Sequence, residues 1–588
     1  MLERLTAPVL EVLARETGLE PTALAGALAP PRVGDADLAL PCFQPAQALG
    51  VAPPALAARL AAAVARSGLA EARAAGPFLN LRWTPAAVAS AFLPLLADEP
   101  QLALRSAQGR GRTVCIDFSS PNIAKHLAVH HIRSTMIGHS LSRLYAAAGW
   151  RVVRINFLGD WGTAFGRLIS GWKREGLQLP DLARAADPVG FLNELYVRAS
   201  RAAEQDPALE EDARRWSKAL EDGDPEARQL WQAFREASLA EFRRVYELLG
   251  VDFDDWRGES WYEDKMAPLL AELRARGLAT VDDGATVVDL AARGFPQFKK
   301  PVLLQRADGG TLYATRDLAA ADERYARYGF DRALYVVDLG QSLHFQEWFA
   351  VARLLGRPYA DRLRHVGFGV LLMWNDEPGP GLAPGWAKGR TRAGRVMLLA
   401  EVLEEAVERA RAIIAEKNPE LVGEERERVA RAVGIGAVVF NDLKHARVND
   451  VKFRFEDALR FDGETGPYVQ YAHARLCSIE RKATVDGGGD PRLLTRDDEK
   501  AVLLAIAGLR AQLERAVDAD EPSILAQAVL RLAGAVSAWL TAGNREHGAK
   551  VLGEDRELCA ARLLLVRAAR GALAEGLHLL GLAAPERM

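Results

Sequence analysis

One stretch, Val114 to Gly149, constrains this fold more than any other: V-C-I-D-F-S-S-P-N-I-A-K-H-L-A-V-H-H-I-R-S-T-M-I-G-H-S-L-S-R-L-Y-A-A-A-G. Val114 to Phe118 is a short apolar run with β-branched residues, Ser119 to Lys125 is rich in turn formers, and His131 to Ala148 carries apolar residues at helical spacing. That is a strand, a crossing loop and a helix. In a parallel α/β sheet such a transition turns backbone N–H groups and the positive end of a helix toward an anion, so phosphate or carboxylate recognition is expected here. Polar side chains crowd the loop: Asp117, Asn122, Lys125, His126, His130, His131 and Arg133. Taken alone, they either bind an anion or merely cap and solvate the start of the helix.

The surrounding pattern extends the sheet. Strands are expected at Arg151–Phe157, Arg332–Val337 and His365–Leu372, separated by helical stretches. A highly charged helical insertion reaches to about Leu278. Strands recurring between helices argue for a parallel, doubly wound, Rossmann-type α/β domain with an inserted module. Before it, residues 1 to 105 mix alanine-rich helices with short strands such as Phe78–Trp83, a small α/β domain. After it, a long amphipathic helix at Leu399–Lys417 opens an all-α region that runs to the C-terminus. At 588 residues the chain is long enough for three or four such units.

Net charge is −3, so no global basic footprint advertises nucleic acid, and an RNA partner would need a local basic surface. The four cysteines (Cys42, Cys115, Cys477, Cys559) are far apart with no C-x-x-C pair, which points to neither a zinc site nor a disulfide framework. The start, M-L-E-R-L-T, does not read as a signal peptide, and no 18-residue apolar run stands out. A soluble cytoplasmic protein without a membrane partner is expected.

The run S-S-P-N-I-A-K-x-L-x-V-x-H-I-R-S-T resembles the nucleotide-binding segment of the class I arginyl-tRNA synthetases, which reads S-P-N-x-A-K-x-x-H-x-G-H-[LI]-R-S-T. Further matches support the likeness: G-D-W-G-T-A-F-G (Gly159 to Gly166), T-L-Y-A-T-R-D-L (Thr311 to Leu318), D-L-G-Q-S-L-H-F (Asp338 to Phe345), W-A-K-G-R-T-R-A-G-R-V (Trp386 to Val396), F-E-D-A-L-R-F-D-G-E-T-G-P-Y-V-Q-Y-A-H-A-R-L (Phe455 to Leu476) and the terminal P-E-R-M. They span essentially the whole chain.

The resemblance implies ATP-dependent activation of L-arginine to arginyl-adenylate and transfer to tRNA(Arg), with Mg2+ accompanying ATP and no protein-bound metal. Arginine would be held by Tyr313, Asp317, Gln341, Asn122 and, at its α-amino group, Asp117. A permanently charged planar guanidinium is best held by a bidentate carboxylate, and Asp317 lies four residues after Tyr313, on the same side of a helical turn. ATP phosphates would meet Lys125, His131, His130, Lys388, Arg390 and Arg392, and the anticodon would meet Tyr468, Tyr471 and Met588. The domains implied are a tRNA-contacting domain (1–105), a catalytic domain (106–400) with its insertion at about 167–280, a helical connector (401–460) and an anticodon-binding domain (461–588), in a monomer.

The chain departs from the family signature at two positions. Its first histidine is Ala128, which removes one phosphate donor, and its glycine is His130, which places an imidazole where adenine would lie. Either His130 or His126 would be a replacement donor. The alternative to the ligase is a paralog that binds arginine or tRNA as a regulator, or that serves another arginine-dependent pathway.

Overall fold

The computed structural model describes residues 3–29, 36–307, 309–375, 385–388, 396–486, 488–546 and 548–588. Its organising element is a four-stranded parallel sheet in the order Leu363–His365, Arg332–Tyr335, Thr113–Asp117, Arg151–Ile155. The central strand is buried on both faces, which is why Val114, Cys115 and Ile116 read as a continuous apolar run instead of an alternating one. The chain enters at Thr113–Asp117, builds outward to Arg151–Ile155, and only later returns to add strands on the other side. That reversal leaves a crevice at the carboxyl ends of Thr113–Asp117 and Arg332–Tyr335, where ligands of doubly wound sheets bind.

Helix His131–Ala147 is buried nearly all round because it lies between the sheet and the C-terminal helices. Ser134 Oγ on it donates to Val336 O at 2.7 Å and accepts from Ser119 N at 2.8 Å, stitching helix, strand end and crossing loop together. On its far side Ser140 Oγ donates to Leu579 O at 3.1 Å.

The insertion is helical, as expected. Three of its helices begin with the same pair, Asp187-Pro188, Asp206-Pro207 and Asp224-Pro225, in which the aspartate accepts a backbone N–H of the first turn and the proline supplies a preset φ. Beyond it lies an antiparallel sheet that the charge pattern did not announce, Thr280–Asp282, Ala285–Val288 and Val302–Gln305. Its signal was the Asp283-Gly284 turn, with both residues at positive φ. The expected strand His365–Leu372 is two strands: Leu363–His365 belongs to the parallel sheet, while Leu371–Asn375 pairs with Gly385–Lys388 and Val451–Phe453 in another. The break leaves residues 368–370 to line the crevice.

The N-terminal unit carries the strand Phe78–Trp83 between Leu38–Pro41 and Ala70–Ala75. It docks on the C-terminal bundle through Asp37–Lys500 at 2.7 Å. In that bundle the helix Ser523–Arg545 is long and apolar enough to cross a membrane by length and composition, contrary to the expectation of no such stretch. Here it turns Leu525, Val529, Leu532, Val536 and Trp539 into the bundle core. The bundle is fixed to the sheet at Asp520, which bonds the Tyr145 hydroxyl and lies 3.2 Å from Arg364 Nη1.

Candidate functional site

The crossing loop after Asp117 has an unusual backbone. Ser119, Ser120 and Ala124 all adopt positive φ (68°, 46° and 61°), a left-handed conformation costly for residues with a Cβ and concentrated at functional sites. Gly159 of the G-D-W-G turn lies directly against this loop. A Cβ there would sit 1.9 Å from Asn122 Oδ1, so only glycine permits the approach, and Gly162, at φ 115°, lets the chain enter helix Thr163–Arg174. Between them, buried Asp160 accepts from Arg235 Nε, Ser260 N and Ser260 Oγ, which fixes the insertion's return segment and thereby Glu259.

Two cavities open along the loop. The first, about 590 Å³, is lined by Ser119, Ser120 and His130 from the loop, His131 at the helix start, Val337, Asp338 and Gln341 after strand Arg332–Tyr335, Phe368 to Leu371 after strand Leu363–His365, and Lys388. Its volume suits a nucleoside-sized ligand. The second, about 540 Å³, is lined by Asn122, Lys125, His126, Ala128, His130 and His131, with Asp187, Gly190, Asn193 and Glu194 from the insertion. The His130 ring stacks on His131, with centroids 4.3 Å apart, and both rings line the first cavity.

His131 is tied to the backbone of position 128: its Nδ1 lies 3.0 Å from the Ala128 nitrogen and 3.1 Å from the Ala128 carbonyl oxygen. Burial, reinforced by His130, pushes its pKa down to about 4, so the ring is a neutral donor at pH 7. Lys125 is exposed, with its ammonium 5.5 Å from the Tyr196 ring. Beneath the first cavity Arg133, 1% exposed, donates to Asp442 Oδ1 (2.7 Å), Gly369 O (2.6 Å) and Asn449 O (2.9 Å), fixing the wall on which a nucleobase would rest. Arg390 and Arg392 lie outside the described residues.

An acidic cluster of Asp117, Asp317 and Glu259 lies behind the first cavity, reached through Ser120, which lines the cavity and bonds Asp117. Asp317, one turn into helix Tyr313–Tyr328, accepts from His344 Nε2 at 2.6 Å. Burial alone would lower the His344 pKa, but the Asp317 bond together with the negative charges of Asp317 and Glu347 outweighs it and raises it. Glu259, which no sequence motif singles out, is paired with Arg316 at 3.0 Å. Burial pushes its pKa up to about 7 against the pull of Arg316, with repulsion from Asp317 adding to the rise. Asp117 is placed differently from the expected α-amino contact. It is buried, paired with Arg324 at 2.8 Å and bonded by Ser120 Oγ at 2.7 Å, so its charge is already taken. Tyr313 does not share a cavity with Gln341. It is 64% exposed and lines a third cavity of about 430 Å³ with Trp161 and Arg316.

In the C-terminal bundle Tyr471 is 41% exposed, edge-on to Phe461 with centroids 6.2 Å apart, while Tyr468 and Met588 are only partly exposed and pack on the core. The Met588 carbonyl accepts from Asn418 Nδ2 at 3.0 Å.

A nucleotide-sized crevice at the switch point of a parallel sheet, interrupted by a helical insertion and followed by a helical bundle, is the arrangement of a class I aminoacyl-tRNA synthetase. Residues 94–455 match the family model described as tRNA synthetases class I (R), catalytic domain; residues 5–83 match the arginyl tRNA synthetase N terminal domain, and 469–588 the DALR anticodon binding domain. The chain belongs to the arginyl-tRNA synthetase family. It is 43% identical to an arginine–tRNA ligase of Exiguobacterium sibiricum over 94% of this chain and 93% of that one. It is 41% identical to arginine–tRNA ligase 2 of Bacillus anthracis, over 94% and 93%. The arginyl-tRNA synthetase of Thermus thermophilus superposes over the full length of both chains with a TM-score of 0.75 at 28% identity.

Proposed function

We propose that the chain is an arginine–tRNA ligase that uses ATP to convert L-arginine to arginyl-adenylate and transfers the arginyl group to tRNA(Arg). The observation that carries this is the acidic cluster joined to the first cavity through Asp117 and Ser120. Asp317 and Glu259 repel each other and are held by His344 and Arg316, and an incoming guanidinium relieves that repulsion while offering Asp317 two parallel N–H donors. Gln341 and Asn122 line the neighbouring cavities and contact the rest of the amino acid, Tyr313 flanks it, and Asp117 acts by anchoring Arg324 and Ser120.

On the ATP side, the neutral His131 donates a ring N–H, and Lys125 and Lys388 supply positive charge from the two cavities. Arg390 and Arg392 join them by resemblance alone. Among the described residues no group of three His, Cys, Asp or Glu forms a metal cage, so Mg2+ would be carried on the ATP phosphates, where it neutralises their charge. Tyr471, with Tyr468 and Met588, receives anticodon bases, the exposed ring of Tyr471 being the surface suited to stacking. The enzyme acts as a cytoplasmic monomer.

Arginine-dependent ATP–pyrophosphate exchange, measured with and without tRNA(Arg), tests this function. Exchange in the presence of tRNA is expected. Its absence under both conditions would favour the regulatory paralog.

A further inference from the structure

We infer that His130 has taken over the phosphate-donor role that Ala128 has lost, so that this chain activates arginine with two adjacent, stacked imidazoles at 130 and 131. The inference rests on the ligase function proposed above.

Four observations converge on position 130. The backbone there is right-handed (φ −67°, ψ −21°), so a side chain is carried without strain and glycine is not needed for conformation. The side chain is exposed, lines both cavities, and is held in place by stacking on His131. Lys388 lines only the first cavity and Lys125 only the second, so a polyphosphate reaching from the nucleoside side to the Lys125 side passes over the histidine pair. Burial lowers the His130 pKa, leaving a neutral ring that still carries one N–H.

The competing donor is already committed. His126 Nε2 is 3.0 Å from Asp187 and its Nδ1 faces Glu241 at 3.5 Å, so this ring ties the crossing loop to two insertion helices. Position 128 borders the second cavity, but its backbone is fixed and its present side chain carries no donor. Ala128 is 6% exposed and pairs with Leu398, while Val129 N donates to Met397 O and Leu399 N to Leu127 O.

In the reaction, an arginine carboxylate oxygen attacks the α-phosphorus of ATP, a new O–P bond forms, the bond to the β-phosphate breaks, and pyrophosphate leaves with the electron pair. His130 donates a hydrogen bond to the phosphate oxygens as charge builds and gives up no proton.

The test is ATP–pyrophosphate exchange with arginine and tRNA(Arg), comparing the native protein with His130→Ala, His130→Asn and Ala128→His/His130→Gly. Loss of one preorganised donor predicts a fall in kcat of about 100- to 1000-fold for His130→Ala, with the KM for arginine unchanged. Asparagine, which retains an N–H, recovers part of the rate, and the double variant, which returns the donor to 128, recovers more. Melting temperatures of the His130→Ala and His130→Asn variants within a few degrees of the native value exclude misfolding, as the exposed position of His130 predicts. An active native enzyme with an unchanged kcat in His130→Ala would overturn the inference and leave the ligase function standing. A native protein inactive with tRNA would overturn both.

Discussion

The two halves of the crevice solve different problems. In the acidic cluster Asp117 is paired with Arg324 and Glu259 with Arg316, and Asp317 accepts a hydrogen bond from His344. On the proposed nucleotide side the signature is altered, burial lowers the pKa of both His130 and His131, and Lys125 and Lys388 stand exposed at the cavities. A cationic ligand must displace or join existing pairs, which makes its site selective. An anionic ligand brings its own charge to groups that are waiting for it, which lets that site absorb a change such as Ala128 and His130. Specificity is therefore concentrated where charge is buried, and tolerance where it is exposed.

The nucleotide side breaks most completely through its frame. Asp442→Ala leaves Arg133 buried without its partner and should cost roughly 3–5 kcal/mol, read as a shift in urea denaturation, together with a raised KM for ATP. A shift within error would mean that the arginine's carbonyl contacts suffice. The amino-acid side breaks at Asp317. Asp317→Ala should weaken arginine binding by roughly 2–5 kcal/mol in calorimetry while ATP affinity is unchanged, and an unaltered arginine affinity would refute the pocket.

Away from both, Tyr471→Ala should cost about 1–3 kcal/mol in tRNA affinity, the loss of one stacked base, measured as a raised KM for tRNA in aminoacylation. The smallest effect sharpens the electrostatic contrast. Glu259 is held up to about 7, so it is protonated below that pH and ionised above it. Arginine affinity should rise with pH through 7, by at most about tenfold per unit, because the cation favours the ionised form. Glu259→Gln should flatten that rise, and a profile that Glu259→Gln does not change would assign it to His344.

Much of this was legible in the residues. The crossing segment showed its strand, loop and helix because three local signals agree there: a β-branched run, turn formers, and apolar helical spacing. Leu399–Lys417 and Phe78–Trp83 fall where periodicity placed them. The strand at His365–Leu372 was misread because an apolar run does not reveal that its two ends join different sheets. Glu259 was invisible for a different reason. A lone glutamate in a charged insertion carries no signal, and it becomes part of the site only because Asp160, a hundred residues earlier, bonds the segment that holds it. Asp117 was visible, but Arg324, its partner from a distant helix, was not. The consequence of His130 turned on the direction of one side chain, which stacking on His131 decides.

The most direct test of the account is to replace the guanidinium with a neutral group of the same shape. ATP–pyrophosphate exchange measured in the presence of tRNA(Arg) should be strong with arginine and absent with citrulline, since the urea group brings no positive charge to Asp317 and Glu259. Comparable exchange with both amino acids would contradict the claim that paired carboxylates choose the substrate.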